Sequence, residues 1–217
     1  MKCLQINLQK SKEALDILNQ LAFEKKTDIA FVSEQNQRTS SNKCYEDLSR
    51  RSGIVIFNPN IKISKYNQTD KGFVWIETDN IRLYSCYYSP NDPLDKFEEE
   101  LGSLEEDIRG AKRNFIITGD FNSKSPDWNE SRLDRRGILV SEFVARNNLV
   151  VINQGFKVTC SRGHSGSIID LTIFSQSAAC QIIDWKVLDD YSMSDHNYIE
   201  FRRQGFKSNE AEAKKKE

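Results

Sequence analysis

Two hydrophobic periodicities alternate along this chain. Leu4–Leu8 is a short apolar run that reads as a strand. From Ser11 to Lys26 the apolar positions Leu15, Leu18, Leu21 and Ala22 recur at helical spacing and cover one face. Asp28–Ser33 (D-I-A-F-V-S) predicts a short buried strand. Between Gly53 and Tyr88 the pattern is strand after strand: G-I-V-I-F, I-K-I-S-K-Y, G-F-V-W-I-E-T and I-R-L-Y-S-C-Y-Y, with Thr78-Asp79-Asn80 suited to a tight hairpin turn. Asp92-Pro93 reads as an N-cap followed by proline in the first turn of a helix to Arg109. Phe115–Thr118 is another apolar strand, ending in Gly119-Asp120-Phe121-Asn122. A helix over Asp134–Asn147 is expected to turn Ile138, Leu139, Phe143 and Val144 inward. Strands are expected at Val150–Ile152, Ile168–Phe174, Ile182–Val187 and Tyr198–Phe201.

Without an internal repeat or a Gly/Ser or Pro-rich linker, this alternation predicts one layered α/β domain over residues 1–204. Residues 205–217 are almost wholly polar and read as a charged tail or linker. Trp75 and Trp185 are expected in the core, and Trp128 in the core or at its rim, with packing behind the active-site loop as the alternative. Composition adds exclusions. At 38% hydrophobic and 29% charged residues the chain is neither disordered nor membrane-spanning, and it opens without a signal-peptide pattern, so an intracellular place is expected. Its five cysteines are scattered without a C-x-x-C pair, which points to buried thiols rather than zinc or disulfides. A net charge of −1 neither favours nor excludes a nucleic-acid partner.

Polar residues at strand ends carry the candidate chemistry, because strand tips lie side by side in a layered sheet. Asn7 lies in I-N-L, Glu34 closes D-I-A-F-V-S-E-Q, and Tyr88 begins Y-S-P-N. Asp120 and Asn122 close I-I-T-G-D-F-N, Asp170 lies inside I-I-D-L-T, and Asp195 and His196 stand in S-D-H-N. Any one of these has an ordinary explanation as a turn or loop residue. Asp170 is more telling, since a carboxylate inside an apolar strand is costly unless it is paired. Carboxylate and amide oxygens suit a hard cation such as Mg²⁺, which assists phosphodiester hydrolysis.

Taken in order, N…E-Q…Y-x-P-N…G-D-F-N…I-D-L-T…S-D-H resembles the signature of the endonuclease/exonuclease/phosphatase superfamily, from Asn7 to Phe201. The resemblance implies a DNase I-like four-layered α/β sandwich, two mixed β-sheets flanked by helices, with its active site at one edge. It implies Mg²⁺, with Mn²⁺ able to substitute, held by Glu34 with Asn7 and Asp195 at or beside it. Asp120 would orient or deprotonate water and Asn122 would hold a phosphate oxygen. His196, oriented by Asp170, would contact the phosphate or act as acid or base, and Tyr88 would assist the leaving oxygen. Whether Asp120 or His196 is the general base stays open, as does the number of metal ions.

The linking segments G-D-F-N-S-K-S-P-D-W, D-R-R-G-I-L-V-S-E-F-V-A-R-N-N-L and R-G-H-S-G-S-I-I-D-L-T-I resemble the apurinic-type endonuclease domain of non-LTR (LINE-type) retrotransposons, closest to R1- and jockey-like elements. That family implies nicking of one strand of double-stranded DNA in the nucleus, a 3′-hydroxyl that primes reverse transcription, and a reverse transcriptase in the parent polyprotein. Arg162, His164 and Asn91 are then candidate DNA contacts, with Thr159 to Ser167 as a groove-entering hairpin; a solvated Gly/Ser turn is the other reading of that segment. Arg132, Arg135 and Arg136 read as a solvated helix face, with phosphate contact as the alternative. Two departures stand out: Gln9 replaces an acidic residue, and Ser167 replaces a bulky aromatic of the abasic-site enzymes. The first weakens the case for a second metal-related carboxylate at that position, and the second favours intact DNA over abasic-site repair. The rivals are another superfamily hydrolase, acting on phosphoinositides or sphingomyelin, and a decayed DNA-binding module.

Overall fold

Most apolar runs become strands of one of two six-stranded sheets, and each helical repeat becomes a cover for a sheet's outer face; the run I-K-I-S-K-Y is the exception, since Ile61–Ser64 is not strand and only Lys65 and Tyr66 enter the exposed strand Lys65–Gln68. The computed structural model describes residues 1–36, 42–78, 81–163, 165–176 and 181–204. Asp79, Asn80, His164, Cys180 and the tail 205–217 lie outside the described residues.

In the first sheet, β1 (Lys2–Asn7) pairs parallel with β2 (Ile29–Ser33), across the helix α1 (Lys12–Lys25). β4 (Ser52–Ile56) and β3 (Lys43–Glu46) extend it on one side, and β14 (Ile199–Arg203) and β13 (Ile182–Val187) on the other, giving the order β13-β14-β1-β2-β4-β3. The second sheet repeats the plan. β7 (Arg82–Tyr87) and β8 (Phe115–Asp120) run parallel, joined through α2 (Leu94–Arg109). With β5 (Lys65–Gln68), β6 (Phe73–Glu77), β12 (Asp170–Ser175) and β9 (Leu149–Val151) the order is β5-β6-β7-β8-β12-β9. A two-stranded hairpin, β10 (Cys160–Arg162) with β11 (Ser165–Ser167), stands apart from both.

Three apolar layers hold this stack together, and their burial is the main stabilising term. Ile29, Phe31, Ile54, Leu83, Ile116, Phe174 and Phe201 pack between the sheets. Leu15, Leu18 and Leu21 of α1 pack on the outer face of the first sheet. Phe97, Leu101 and Leu104 of α2, with Val140 and Phe143 of α3 (Arg135–Arg146), pack on the outer face of the second. The architecture is therefore the four-layered sandwich with two mixed sheets. Trp75, Trp128 and Trp185 are core residues, and Cys3, Cys86 and Cys160 are buried free thiols. No described helix is long and apolar enough to cross a membrane.

Several local expectations need correction. β3 was not anticipated; it is a four-residue edge strand with only Tyr45 buried, too short to show alternation. Asp92 does not cap α2: Pro93 holds that position without a side-chain cap, and Asp92 instead pairs with Arg51 and Lys96. On α3 the inward face is Arg136, Gly137, Val140 and Phe143, while Ile138 is 44% exposed. Asp134 caps this helix by accepting from the Gly137 N–H at 2.7 Å, and Phe143, Leu139 and Val144 do turn to the core as expected. Arg136 thus does not lie on a solvated face.

Candidate active site

The tips of both sheets converge at one edge of the sandwich. Asn7 ends β1, Glu34 follows β2, Tyr87 ends β7, Asp120 ends β8 and Asp170 begins β12. Within the second sheet, Asp120 pairs in register with Tyr87 on one side and with Asp170 on the other. Two buried carboxylates facing each other across strands repel. His196, 1% exposed and just ahead of β14, relieves this: its Nδ1 is 2.8 Å from Asp170 Oδ2 and its Nε2 3.9 Å from Asp120 Oδ2. Burial opposes the charged imidazole, yet Asp170 and then Asp120 hold its pKa well above the ordinary value. Burial and the Asp170 charge push the Asp120 carboxyl up to about 7, against the pull of His196 and the Asn7 amide.

Asn7 joins the two sheets chemically. Its Nδ2 donates to Glu34 Oε2 at 3.1 Å and to Asp120 Oδ2 at 2.9 Å, while its Oδ1 accepts from the Gln9 N–H at 2.8 Å. Asn122 lies at the same edge; its N–H donates to Asp120 Oδ1 at 3.0 Å and its Nδ2 to the Tyr88 carbonyl at 3.0 Å. Asp195 sits at the rim, gripped by Gln9: Gln9 Nε2 donates to its Oδ2 at 2.9 Å, and its own N–H donates to Gln9 Oε1 at 2.8 Å. Gln9 stands 186 residues from this partner, so its role is not legible along the chain. Gln9, Glu34, Asn122 and Met193 all adopt positive φ, at 48°, 45°, 45° and 54°. Such conformations are uncommon for these residues and concentrate where the chain must turn sharply at a site.

Tyr88 is not part of this cluster. Its ring packs against Phe97 and Phe121 on the helix side of the second sheet, 1% exposed, and its hydroxyl has no hydrogen-bond partner. Adjacent strand residues point to opposite faces, so Tyr87 is the tyrosine turned toward the site. Burial, and then the Glu34 and Asp120 charges beside its hydroxyl, push its pKa up.

The donors here are almost all oxygens, which suits a hard divalent cation. Ligand atoms of Asp120, Asp170 and His196 lie within 4.8 Å of one another. Asp170 and His196 are however spent on each other, which leaves that trio poorly suited to enclose a cation. Glu34 is the better-suited ligand, since its carboxylate meets an amide and a phenol instead of a basic side chain and lies beside Asp120. Asp195 can contribute from the rim, where Arg162 pairs with it at 3.2 Å.

The hairpin β10–β11 is fastened to the catalytic loop rather than free. Ser161 N–H donates to the Asp195 carbonyl at 2.7 Å, and Asn197 N–H to that of Thr159 at 2.8 Å. Arg162, Ser165 and Gly166 are exposed on it, and Asn91 is exposed on the loop before α2. Trp128 Nε1 donates to the Ile168 carbonyl at 3.0 Å, bracing β12 from behind. Gly119 permits the approach of β8 to β7, where a Cβ would meet the Cys86 carbonyl oxygen at 2.0 Å.

Comparison with known proteins adds the lineage. A 115 kDa protein of the type-1 retrotransposable element R1DM of Drosophila melanogaster is 31% identical over 132 residues, covering 55% of this chain and 12% of that protein. The endonuclease domain of TRAS1, a telomere-specific non-LTR retrotransposon, superposes with a TM-score of 0.84 at 27% identity, over 95% of this chain and 99% of that one. An AP endonuclease from Archaeoglobus fulgidus shares the fold, with a TM-score of 0.72 at 14% identity over 94% of this chain and 100% of that one. Residues 81–200, more than half of the chain, match the endonuclease-reverse transcriptase family. On its sequence, its DNase I-like sandwich and its converged edge, the chain belongs to that family.

Proposed function

We propose that this chain is a metal-dependent endonuclease that nicks one strand of double-stranded DNA, leaving a 3′-hydroxyl from which a reverse transcriptase of the parent polyprotein primes synthesis in the nucleus. The observation that carries the reading is the buried Asp170–His196–Asp120 array, set beside Glu34 by the single amide of Asn7. The relationship to retrotransposon endonucleases supports DNA as the substrate.

In this mechanism Asp120 is the general base, since a carboxyl with a pKa about 7 accepts a proton from water near neutrality. His196, kept protonated by Asp170, donates from Nε2 to a phosphoryl oxygen as negative charge develops. The Tyr87 hydroxyl aids the leaving oxygen, and Asn122 positions the phosphate. Glu34, with Asn7 and Asp195 beside it, would hold Mg²⁺, or Mn²⁺ in its place, and the bound ion would relieve charge on the phosphate as a Lewis acid.

Supercoiled plasmid incubated with the protein and Mg²⁺ should pass to the open-circular form, with EDTA blocking the change. The nicked ends should be extended by a polymerase, as a 3′-hydroxyl requires. Glu34→Ala and His196→Ala should each lower the rate by ~10²–10⁴-fold. A Glu34→Ala protein that nicks at the normal rate removes the metal assignment. Turnover of inositol phosphates or sphingomyelin with plasmid left intact replaces DNA with a rival substrate.

A further inference from the structure

The chain leaves β1 through two consecutive residues in the left-handed region, Gln9 at φ 48° and Lys10 at φ 58°. Neither is glycine, so each holds a conformation that costs free energy and persists only where its surroundings impose it. The contacts of this turn supply the reason. The Gln9 N–H donates to Asn7 Oδ1 at 2.8 Å, and the Lys10 N–H donates to the Glu34 carbonyl at 2.6 Å. The Gln9 side chain meets Asp195 twice, through Nε2 on Oδ2 at 2.9 Å and through Oε1, which accepts from the Asp195 N–H at 2.8 Å. One turn therefore touches all three residues assigned above to the cation. They come from separate places in the chain: the end of β1, the end of β2 and the loop before β14.

Each contact decides something. An asparagine amide can be flipped, exchanging its donor for its acceptor. With Oδ1 taken by the Gln9 N–H, Nδ2 is the atom that meets Glu34 and Asp120, at 3.1 and 2.9 Å. The Asp195 side chain is 44% exposed, and a carboxylate so placed turns freely unless it is held. Gln9 Nε2 and Arg162 Nε both reach Oδ2, so Oδ1 is the oxygen left for a cation among the described residues. The Arg162 pair joins two exposed groups and is weak. Gln9 holds the side chain and the backbone of Asp195 together, and as a neutral amide it does so without adding charge. Ser194 closes the same seam, its Oγ donating to the Asn7 carbonyl at 2.7 Å.

We infer that Gln9 is a positioning residue for the cation: its backbone orients the Asn7 amide and its side chain fixes the Asp195 carboxylate before the ion arrives. This rests on the metal reading above and deepens it. An ion that meets a carboxylate already ordered binds without the cost of ordering it.

Mn²⁺ titrated into the metal-free, full 217-residue chain tests this without DNA, the free ion being read by electron paramagnetic resonance. Gln9→Met keeps the length of the side chain and the backbone N–H but removes both bonds to Asp195. It should weaken Mn²⁺ binding by ~10–100-fold, the usual effect of losing a group that orients a ligand. In an Asp195→Asn background the same change should cost almost nothing further, because Gln9 acts through that carboxylate. A general loosening of the fold would cost the same in both backgrounds. In plasmid nicking, the Mn²⁺ concentration for half-maximal rate should rise in Gln9→Met by a larger factor than the rate at saturation falls. Equal Mn²⁺ affinity in the Gln9→Met and unaltered proteins, or an equal loss in the two backgrounds, overturns the positioning role. An unaltered protein that takes up no Mn²⁺ removes the metal site and this role with it. Weakened Mn²⁺ binding in Gln9→Met, with no nicking of any DNA by the unaltered protein, leaves the role standing and removes the nuclease reading.

Discussion

At the scale of single residues, neighbouring side chains carry opposite duties. Tyr87 and Tyr88 differ by one position, and the pleat sends one to the site and the other into the packing under α2. Tyr87→Phe should lower the nicking rate by ~10-fold or more with folding intact. Tyr88→Phe should leave the rate unchanged and be neutral or stabilising by up to ~1 kcal/mol, because it removes a buried hydroxyl without a partner. Plasmid nicking and urea denaturation on the two variants read both outcomes, and equal loss of activity in both would return the role to Tyr88. The Y-x-P-N spacing pointed to Tyr88 because a motif records order along the chain and not the face of the sheet. The same limit hid Gln9, whose amide takes its meaning from Asp195 alone. Glu34, Asp120, Asp170 and His196, by contrast, were legible as polar residues at the ends of apolar runs.

At the scale of elements, register determines what the site contains. The two parallel β-α-β units, β1-α1-β2 and β7-α2-β8, bring four strand tips to one edge. The antiparallel pairing of β12 with β8 then sets Asp170 opposite Asp120. Gly119 is what allows β8 to lie against β7 at this point, so Gly119→Ala should destabilise the fold by ~3 kcal/mol or more, since backbone rather than a movable side chain opposes the new methyl. A chemical-denaturation midpoint within error of the unaltered protein would contradict this. Most strands were readable from their apolar runs, and α1 and α3 from their spacing. What escaped were features decided by tertiary contacts: the edge strand β3, the start of α2, and the outward turn of Ile138.

For the molecule as a whole, the buried array links stability to pH. Asp120 holds its proton to about 7, whereas an unfolded aspartate loses it near ~3.9. His196 holds its own proton above the ~6.5 of an unfolded histidine. In both cases the folded chain binds more protons than the unfolded one, so the stabilisation is complete at low pH and is lost as pH rises through the folded values. With EDTA present, the melting temperature should fall as pH rises from about 4 through about 7 and beyond, and His196→Ala should flatten the part of that fall above about pH 6.5. Calorimetry across the range decides it, and a melting temperature that climbs toward alkaline pH would refute the charge assignment.

The first sheet gives the protein a built-in order of events. β1, the opening strand, is zipped on one side to β14, the closing one, and the Met1 amino group reaches the Arg203 carbonyl at 2.9 Å. His196 stands at the threshold of that last strand, so a chain still emerging from the ribosome, or clipped short of it, carries Asn7, Glu34 and Asp120 but has no imidazole to set among them. The imidazole therefore joins the other residues of the site only once β14 has been made and has docked beside β1.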